Sequence, residues 1–174
     1  MKHQNRIKDK FERNEKVLTL KPVMGLGKGV STIKITDGLQ CEIEEGNWKL
    51  KTDMPEQVGG ENNAPTPGVL GRAAFGSCLA TGYMMWASKL NIVVESLEIK
   101  VEADYDDGAI FGTSNAPAGY SEVKYFVKIK SPNSKEEIAG PQLNPSKVSG
   151  PLHVATPPTG LPCAYSFCNS GKLL

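Results

Sequence analysis

Among the side chains able to do covalent chemistry, Cys78 has the most permissive setting. It lies in the run Gly71-Arg72-Ala73-Ala74-Phe75-Gly76-Ser77-Cys78-Leu79-Ala80, whose small neighbours leave room for a substrate to reach sulfur. A thiol reacts as its thiolate, which a cation or a helix N-terminus must stabilise. If a helix begins at Pro67, Cys78 is about three turns in, beyond the reach of the dipole. A cation must then come from elsewhere. The chain has only three arginines, Arg6, Arg13 and Arg72. Arg72 is six residues before Cys78 and so about 120° away around a helix, which suits the helix surface rather than the thiol. Lys28, in Gly25-Leu26-Gly27-Lys28-Gly29, is the alternative, delivered by a loop or by a partner subunit. The competing reading makes Cys78 a small buried hydrophobe inside a core helix.

The other candidates exclude more than they offer. Cys41 falls on the inward face of an expected strand and reads as core. Cys163 and Cys168 flank Ala164-Tyr165-Ser166-Phe167; either is a resolving thiol or has no role. Four irregularly spaced cysteines and two histidines, His3 and His153, lack the paired spacing of a zinc site, so no metal is expected. No Ser/His/Asp arrangement is supportable, because His153 has no nucleophile elbow near it. The glycines around Lys28 lack the spacing of a phosphate or dinucleotide loop, and no cofactor is expected.

The elements that position these residues follow from periodicity. Ser31, Ile33 and Ile35 share a face, Asp37-Gly38 supplies turn chemistry, and Leu39, Cys41 and Ile43 continue as the apolar face of the next strand. Trp48, Leu50, Thr52 and Met54 repeat the period-2 signal after Glu45-Gly46-Asn47. Breakers fill the stretch from Met54 to Thr66, and Thr66-Pro67 reads as an N-cap with proline at the first helical position. In the helix that follows, Val69, Leu70, Ala73, Ala74, Cys78, Met85 and Trp86 recur at three- and four-residue steps. Gly71, Ala74, Ser77, Cys78 and Thr81 form a stripe of small side chains that would let another element approach closely. Leu97, Ile99, Val101, Ala103 and Tyr105 alternate with charged residues, and Val123, Tyr125, Val127 and Ile129 form their antiparallel partner. Ser131-Pro132-Asn133-Ser134 before Lys135-Glu136-Glu137-Ile138 reads as the capped start of a further helix. Residues 1–16 are a polar arm or short surface helix with six basic and three acidic side chains. Six of the twelve prolines lie between Gly140 and Pro162, so residues 140–174 are expected to be irregular.

Length and composition agree with a single domain over residues 1–174. Twenty basic against nineteen acidic side chains leave a formal charge of +1, no field for nucleic acid or an anionic membrane, and neither partner is expected. The N-terminus lacks the apolar core of a secretory signal, and Val69 to Leu90 is interrupted by Arg72, Lys89 and glycines rather than being a membrane span. A cytoplasmic location is expected, where thiols stay reduced.

The string Gly60-Glu61-Asn62-Asn63-Ala64-Pro65-Thr66-Pro67, then Leu70, Ala73-Ala74, Ser77-Cys78 and Trp86-Ala87, followed by Val94-Glu95-Ser96-Leu97-Glu98-Ile99 and Val101-Glu102-Ala103-Asp104, resembles the OsmC/Ohr superfamily, the osmotically induced and organic hydroperoxide resistance proteins. Within it the pattern is closer to the less characterised OsmC-like branch. The resemblance implies an α+β fold with a curved antiparallel sheet and a central buried helix. It further implies an intertwined homodimer with active sites at the dimer interface. It implies a peroxidatic cysteine at Cys78, reduction of small organic hydroperoxides, and a dithiol reductant. The family's glutamate after Pro67 is Gly68 here, and its hairpin arginine is represented only by Lys28. Its resolving cysteine falls near Ser149, with Cys163 as a possible substitute. Phe75, Met84, Met85 and Trp86 would wall an apolar substrate site. Two functions follow: a thiol-dependent peroxidase-type protein in oxidative stress defence, or a non-catalytic homodimer binding a small apolar ligand in the same groove.

Overall fold

Alternation between positions 32 and 52 does produce three antiparallel strands, β1 (Thr32–Ile35), β2 (Cys41–Glu45) and β3 (Trp48–Thr52), in the order β1-β2-β3. The computed structural model describes residues 2–116 and 118–138. Gly46 in the tight β2–β3 turn takes φ +55°, a left-handed value that a Cβ would resist. The register places Ile33 opposite Ile43 and Ile43 opposite Leu50, with Ile35, Cys41 and Thr52 as the next row of the same face. The other face is charged: Lys34, Glu42 and Lys51 form one row, and Lys49 meets Glu44 at 2.9 Å. Cys41, expected in the core, is only half-buried, because the apolar face it shares is largely uncovered; Ile33 is 57% exposed and Leu50 53%. These strands belong to a compact unit formed by Glu12–Ala74.

The second unit combines Met1–Phe11 with Phe75 onward. Its sheet is one long hairpin of β4 (Ser96–Tyr105) and β5 (Tyr120–Lys130). Leu97 pairs with Ile129, Ile99 with Val127 and Val101 with Tyr125 on the inner face, while Glu98 stands opposite Lys128 and Glu102 opposite Lys124 outside. The shortest ion pairs on that outer face nevertheless run along single strands, Lys100 to Glu102 at 2.6 Å and Lys124 to Glu122 at 2.7 Å. Such exposed pairs contribute little to stability.

Helix α2 (Pro67–Lys89) starts where the sequence places it: Thr66 caps it, its hydroxyl accepting from the Val69 amide at 3.4 Å. It ends in a Schellman turn, with Asn91 at φ +58° and the Ile92 amide donating to the Ala87 carbonyl at 2.9 Å. Its packed face is Gly76, Leu79, Tyr83 and Ala87, spaced at three and four residues. A Cβ at Gly76 would stand 3.2 Å from Val101 Cγ2, so glycine there is what lets β4 lie close. Tyr83, Ala87 and Ile92 form the core cluster, with Leu97, Ile99, Val127, Ile129 and Ile138 against it. The Tyr83 hydroxyl is buried with no hydrogen-bond partner among the described residues, and burial pushes it up to about 12.

The polar N-terminal stretch takes the helical alternative and exceeds it in length: α1 runs over Lys2–Leu20. Its first three turns are held by side chains. The Gln4 amide donates to the Ile92 carbonyl at 3.0 Å and accepts from the Val94 amide at 3.2 Å, and Lys8 donates to Asn91 Oδ1 at 2.8 Å. Phe11 meets Trp86 edge-on at 5.2 Å, with the Lys89 ammonium 4.9 Å from the Phe11 ring. Short helices α3 (Asp107–Ile110) and α4 (Lys135–Ile138) complete the described chain. The cap read at Ser134 is a reciprocal capping box: Ser134 Oγ accepts from the Glu137 amide at 3.2 Å, and the Glu137 carboxylate accepts from the Ser134 amide at 2.8 Å. The expected irregular region 140–174 lies outside the described residues.

Candidate functional site

Cys78 is exposed, which corrects the expectation of a buried sulfur. The reason lies in the helix. α2 is apolar or small on nearly every side, so periodicity alone does not select its packed face. Closest approach to the sheet selects it, through Gly76, and turns Ala74, Ser77, Cys78, Thr81 and Met85 outward as one stripe. The small stripe of the sequence is therefore real but faces away from β4. The apolar set built on Ala73, Ala74, Cys78 and Met85 is corrected with it, since all four are exposed.

The expected substrate wall separates into two groups. Phe75 is engaged edge-on with Tyr125, ring centres 6.0 Å apart, and Trp86 is engaged with Phe11, so both are packing residues within the unit. Met84 and Met85 do line a cleft, of about 530 Å³, together with Ile7, Thr81, Val94 and Leu97. Among the described residues of its lining Glu95 alone is charged, and its carboxylate pairs with Lys130 at 2.9 Å. This cleft has the size and apolar character of small-molecule sites. Sequence reading missed Ile7 and the 94–97 segment, since nothing in local periodicity shows that the N-terminal helix docks there.

Lys28 is exposed, in the segment ahead of β1 in the other unit. Cys163 and Cys168 lie outside the described residues, as do Ser149 and His153. Among the described residues no cluster of His, Cys, Asp and Glu could hold a metal ion, and no helix is long and apolar enough to cross a membrane.

The loop that leads into α2 is organised by a residue the sequence reading passed over. Asp53 is 1% exposed, and its carboxylate accepts from the backbone amides of Met54 at 2.7 Å, Asn63 at 3.0 Å and Glu61 at 3.2 Å. The amide of Asn63, followed by those of Met54 and Glu61, holds this carboxyl below its ordinary value against the opposing effect of burial. Gly60 packs so tightly that a side chain there would run into the Met54 carbonyl. The available signal was an Asp placed directly before a run of turn residues, where its oxygens can satisfy loop amides.

The family model described as OsmC-like protein matches residues 60–140, which contain the Asp53-anchored end of the loop, all of α2 and the β4–β5 hairpin. In fold the chain is similar to a candidate osmotic stress induced and detoxification response protein from Psychrobacter arcticus 273-4. That match has TM-score 0.51 and 18% identity, covering 64% of this chain and 77% of that one. It is also similar to an OsmC like protein from Mycoplasma pneumoniae, with TM-score 0.52 and 15% identity, covering 84% of this chain and 97% of that one. No curated protein is significantly similar in sequence. This chain is thus an α+β protein with antiparallel sheets whose fold is similar to those structures, and whose cysteine-bearing helix lies within the segment that the OsmC-like model matches.

Proposed function

We propose that this chain is a thiol-dependent peroxidase-type protein that reduces organic hydroperoxides as a cytoplasmic homodimer. The observation that carries the reading is the open position of Cys78 on α2, within the segment matched by the family. In the proposed reaction the thiolate attacks the distal oxygen of the hydroperoxide, the O–O bond breaks, and the departing alkoxide takes a proton to become the alcohol. Sulfur is left as sulfenic acid. One thiol of an external dithiol attacks that sulfur and water leaves; the second thiol then displaces Cys78, and the reductant departs as a disulfide. Lys28 is the candidate cation for the thiolate, and Cys163 is the candidate internal resolving thiol. The homodimer is supported by the uncovered apolar face of β1–β3, which a second copy would bury.

A second reading, a binding protein without turnover, draws on Gly68, which offers no carboxylate where the family has one. Consumption of cumene hydroperoxide with dithiothreitol separates the two. Peroxidase chemistry requires that Cys78→Ser fall to the uncatalysed rate; equal rates for the two proteins leave only the binding function. Lys28→Ala with an unchanged rate would remove the cation. A Cys78–Cys163 disulfide in the mass spectrum after peroxide treatment supports internal resolution, and a persistent sulfenic or sulfinic acid supports the external dithiol.

A further inference from the structure

The chain places Asp directly before Gly twice, at Asp37-Gly38 and at Asp107-Gly108, and folds the two pairs in opposite ways. An aspartyl side chain is open to attack by the amide nitrogen of the next residue, and glycine lets that nitrogen approach because it carries no Cβ. The attack needs a nitrogen that nothing else holds. At Asp107-Gly108 it is held. The Gly108 amide donates to Asp106 Oδ1 at 2.8 Å, and the Gly108 carbonyl accepts from the amides of Thr113 at 2.8 Å and Ser114 at 3.2 Å. A Cβ at Gly108 would stand 2.9 Å from both Asp106 Oδ1 and Thr113 Oγ1, so the surroundings of that residue are already filled. The other pair lies in the exposed loop 36–40 between β1 and β2. Neither the Asp37 carboxylate nor the Gly38 amide has a hydrogen-bond partner among the described residues. Gly38 takes φ +54°, and open space surrounds the position that its Cβ would fill.

We infer that Asp37 is a modification site, converting to isoaspartate through a succinimide, and that the conversion loosens β1. The Gly38 nitrogen attacks Asp37 Cγ, and the carboxyl OH leaves with the amide proton as water. Water then opens the ring at the side-chain carbonyl, restoring aspartate, or at the main-chain carbonyl, giving isoaspartate. One water leaves and one enters, and nothing is oxidised or reduced. The product runs the main chain through Cβ and leaves the α-carboxylate free. That carboxylate is the group which an isoaspartyl carboxyl methyltransferase esterifies with S-adenosylmethionine, so this enzyme class is the partner of the modified chain. The loop gains one backbone atom between Ile35 and Cys41, the pair that closes it. Among the described residues β1 pairs only with β2, over Thr32–Ile35, so no second neighbour holds its register. β2 also pairs with β3 across the separate turn at Gly46 and keeps that partner. The inference is independent of the chemistry proposed for Cys78.

For the test the full chain is aged in warm, mildly acidic buffer, digested with trypsin and read by electron-transfer mass spectrometry, which distinguishes isoaspartate from aspartate. The two Asp-Gly pairs fall in separate peptides, 35–49 and 101–124. Isoaspartate is expected to accumulate in 35–49 about fivefold faster than in 101–124, or more, since the Gly108 amide must first surrender its hydrogen bond. Ageing in urea should bring the two rates together. Equal rates in the folded chain, or faster conversion in 101–124, overturn the inference. Asp37→Glu, whose longer side chain closes no five-membered ring, should abolish the change in 35–49 and leave 101–124 as it was. Isoaspartate persisting in 35–49 of that variant places the reaction elsewhere and overturns the site. A second readout is methyl transfer from labelled S-adenosylmethionine by an isoaspartyl carboxyl methyltransferase, which should rise with age in the wild type and stay low in Asp37→Glu; an equal rise in both counts against it. In the isoaspartyl fraction the amides of Thr32–Ile35 should exchange hydrogen faster than in the fresh chain, while those of Trp48–Thr52 do not change. A fraction whose β1 amides exchange as before overturns the loosening of β1.

Discussion

The two antiparallel sheets obey the same rule of alternation yet end in opposite conditions. The β4–β5 hairpin turns Ile99, Val101 and Tyr125 toward α2 and is covered there, with Val123 and Tyr125 buried. The β1–β3 meander has an equally clear apolar row in Ile33, Ile43 and Leu50, but among the described residues Ile33 and Leu50 in it are exposed. Alternation decides which side chains share a face; it does not decide what covers the face. The hairpin has its cover in the same unit because Gly76 allows a helix to settle on it. The meander's cover is assigned, in the proposed function, to a second copy of the chain.

The contrast can be broken most forcefully on the packed side. Leu79 is fully buried, and Leu79→Ala should lower stability by about 2–5 kcal/mol in denaturant unfolding at every protein concentration. A loss of less than about 1 kcal/mol would mean that this face of α2 is not core. Leu50→Lys makes the opposite demand. On a lone chain an exposed substitution of this kind should change stability by less than about 0.5 kcal/mol, whereas on a covered face it should separate the copies. Sedimentation should therefore show the dimer mass for the wild type and half of it for the variant. A wild type that sediments as a monomer removes the second copy from the comparison.

The smallest effect belongs to the loop between the sheets. The Asp53 carboxyl is lowered in the folded state by the amides of Asn63, Met54 and Glu61. Its contribution is therefore complete above the unfolded carboxyl value and is lost as pH falls through the depressed folded one. Asp53→Asn should unfold at a lower temperature near neutral pH and show a shallower decline in acid, so that the two melting curves converge at the acid end. Parallel decline of both proteins would show that the charge on Asp53 does not support the loop.

Much of this arrangement is legible in the residues. The turns at Gly38 and Gly46, the start of α2 at Thr66-Pro67, both partners of the hairpin and the box at Ser134 are local signals with local causes, and each stands where the sequence puts it. What escaped depends on contacts between distant segments. The orientation of α2 is set by one glycine meeting Val101, so a helix apolar all round gave no indication that Cys78 would face outward. The docking of α1 runs through a glutamine, a polar residue that hydropathy patterns assign to solvent. Asp53 is marked only by its place ahead of a run of turn residues; which backbone amides it holds, those of Met54, Glu61 and Asn63, does not follow from their residue types.

The clasp made by Gln4 also bears on the order in which the chain can assemble. Its amide occupies backbone groups 88 and 90 positions away, at Ile92 and Val94, much as a neighbouring strand would. During synthesis the first helix thus emerges on the order of ten seconds before its seat exists. Throughout that interval Ile7 and Phe11 have nothing to bury against, so the charged residues that surround them are what keep the newborn segment in water until the middle of the chain arrives.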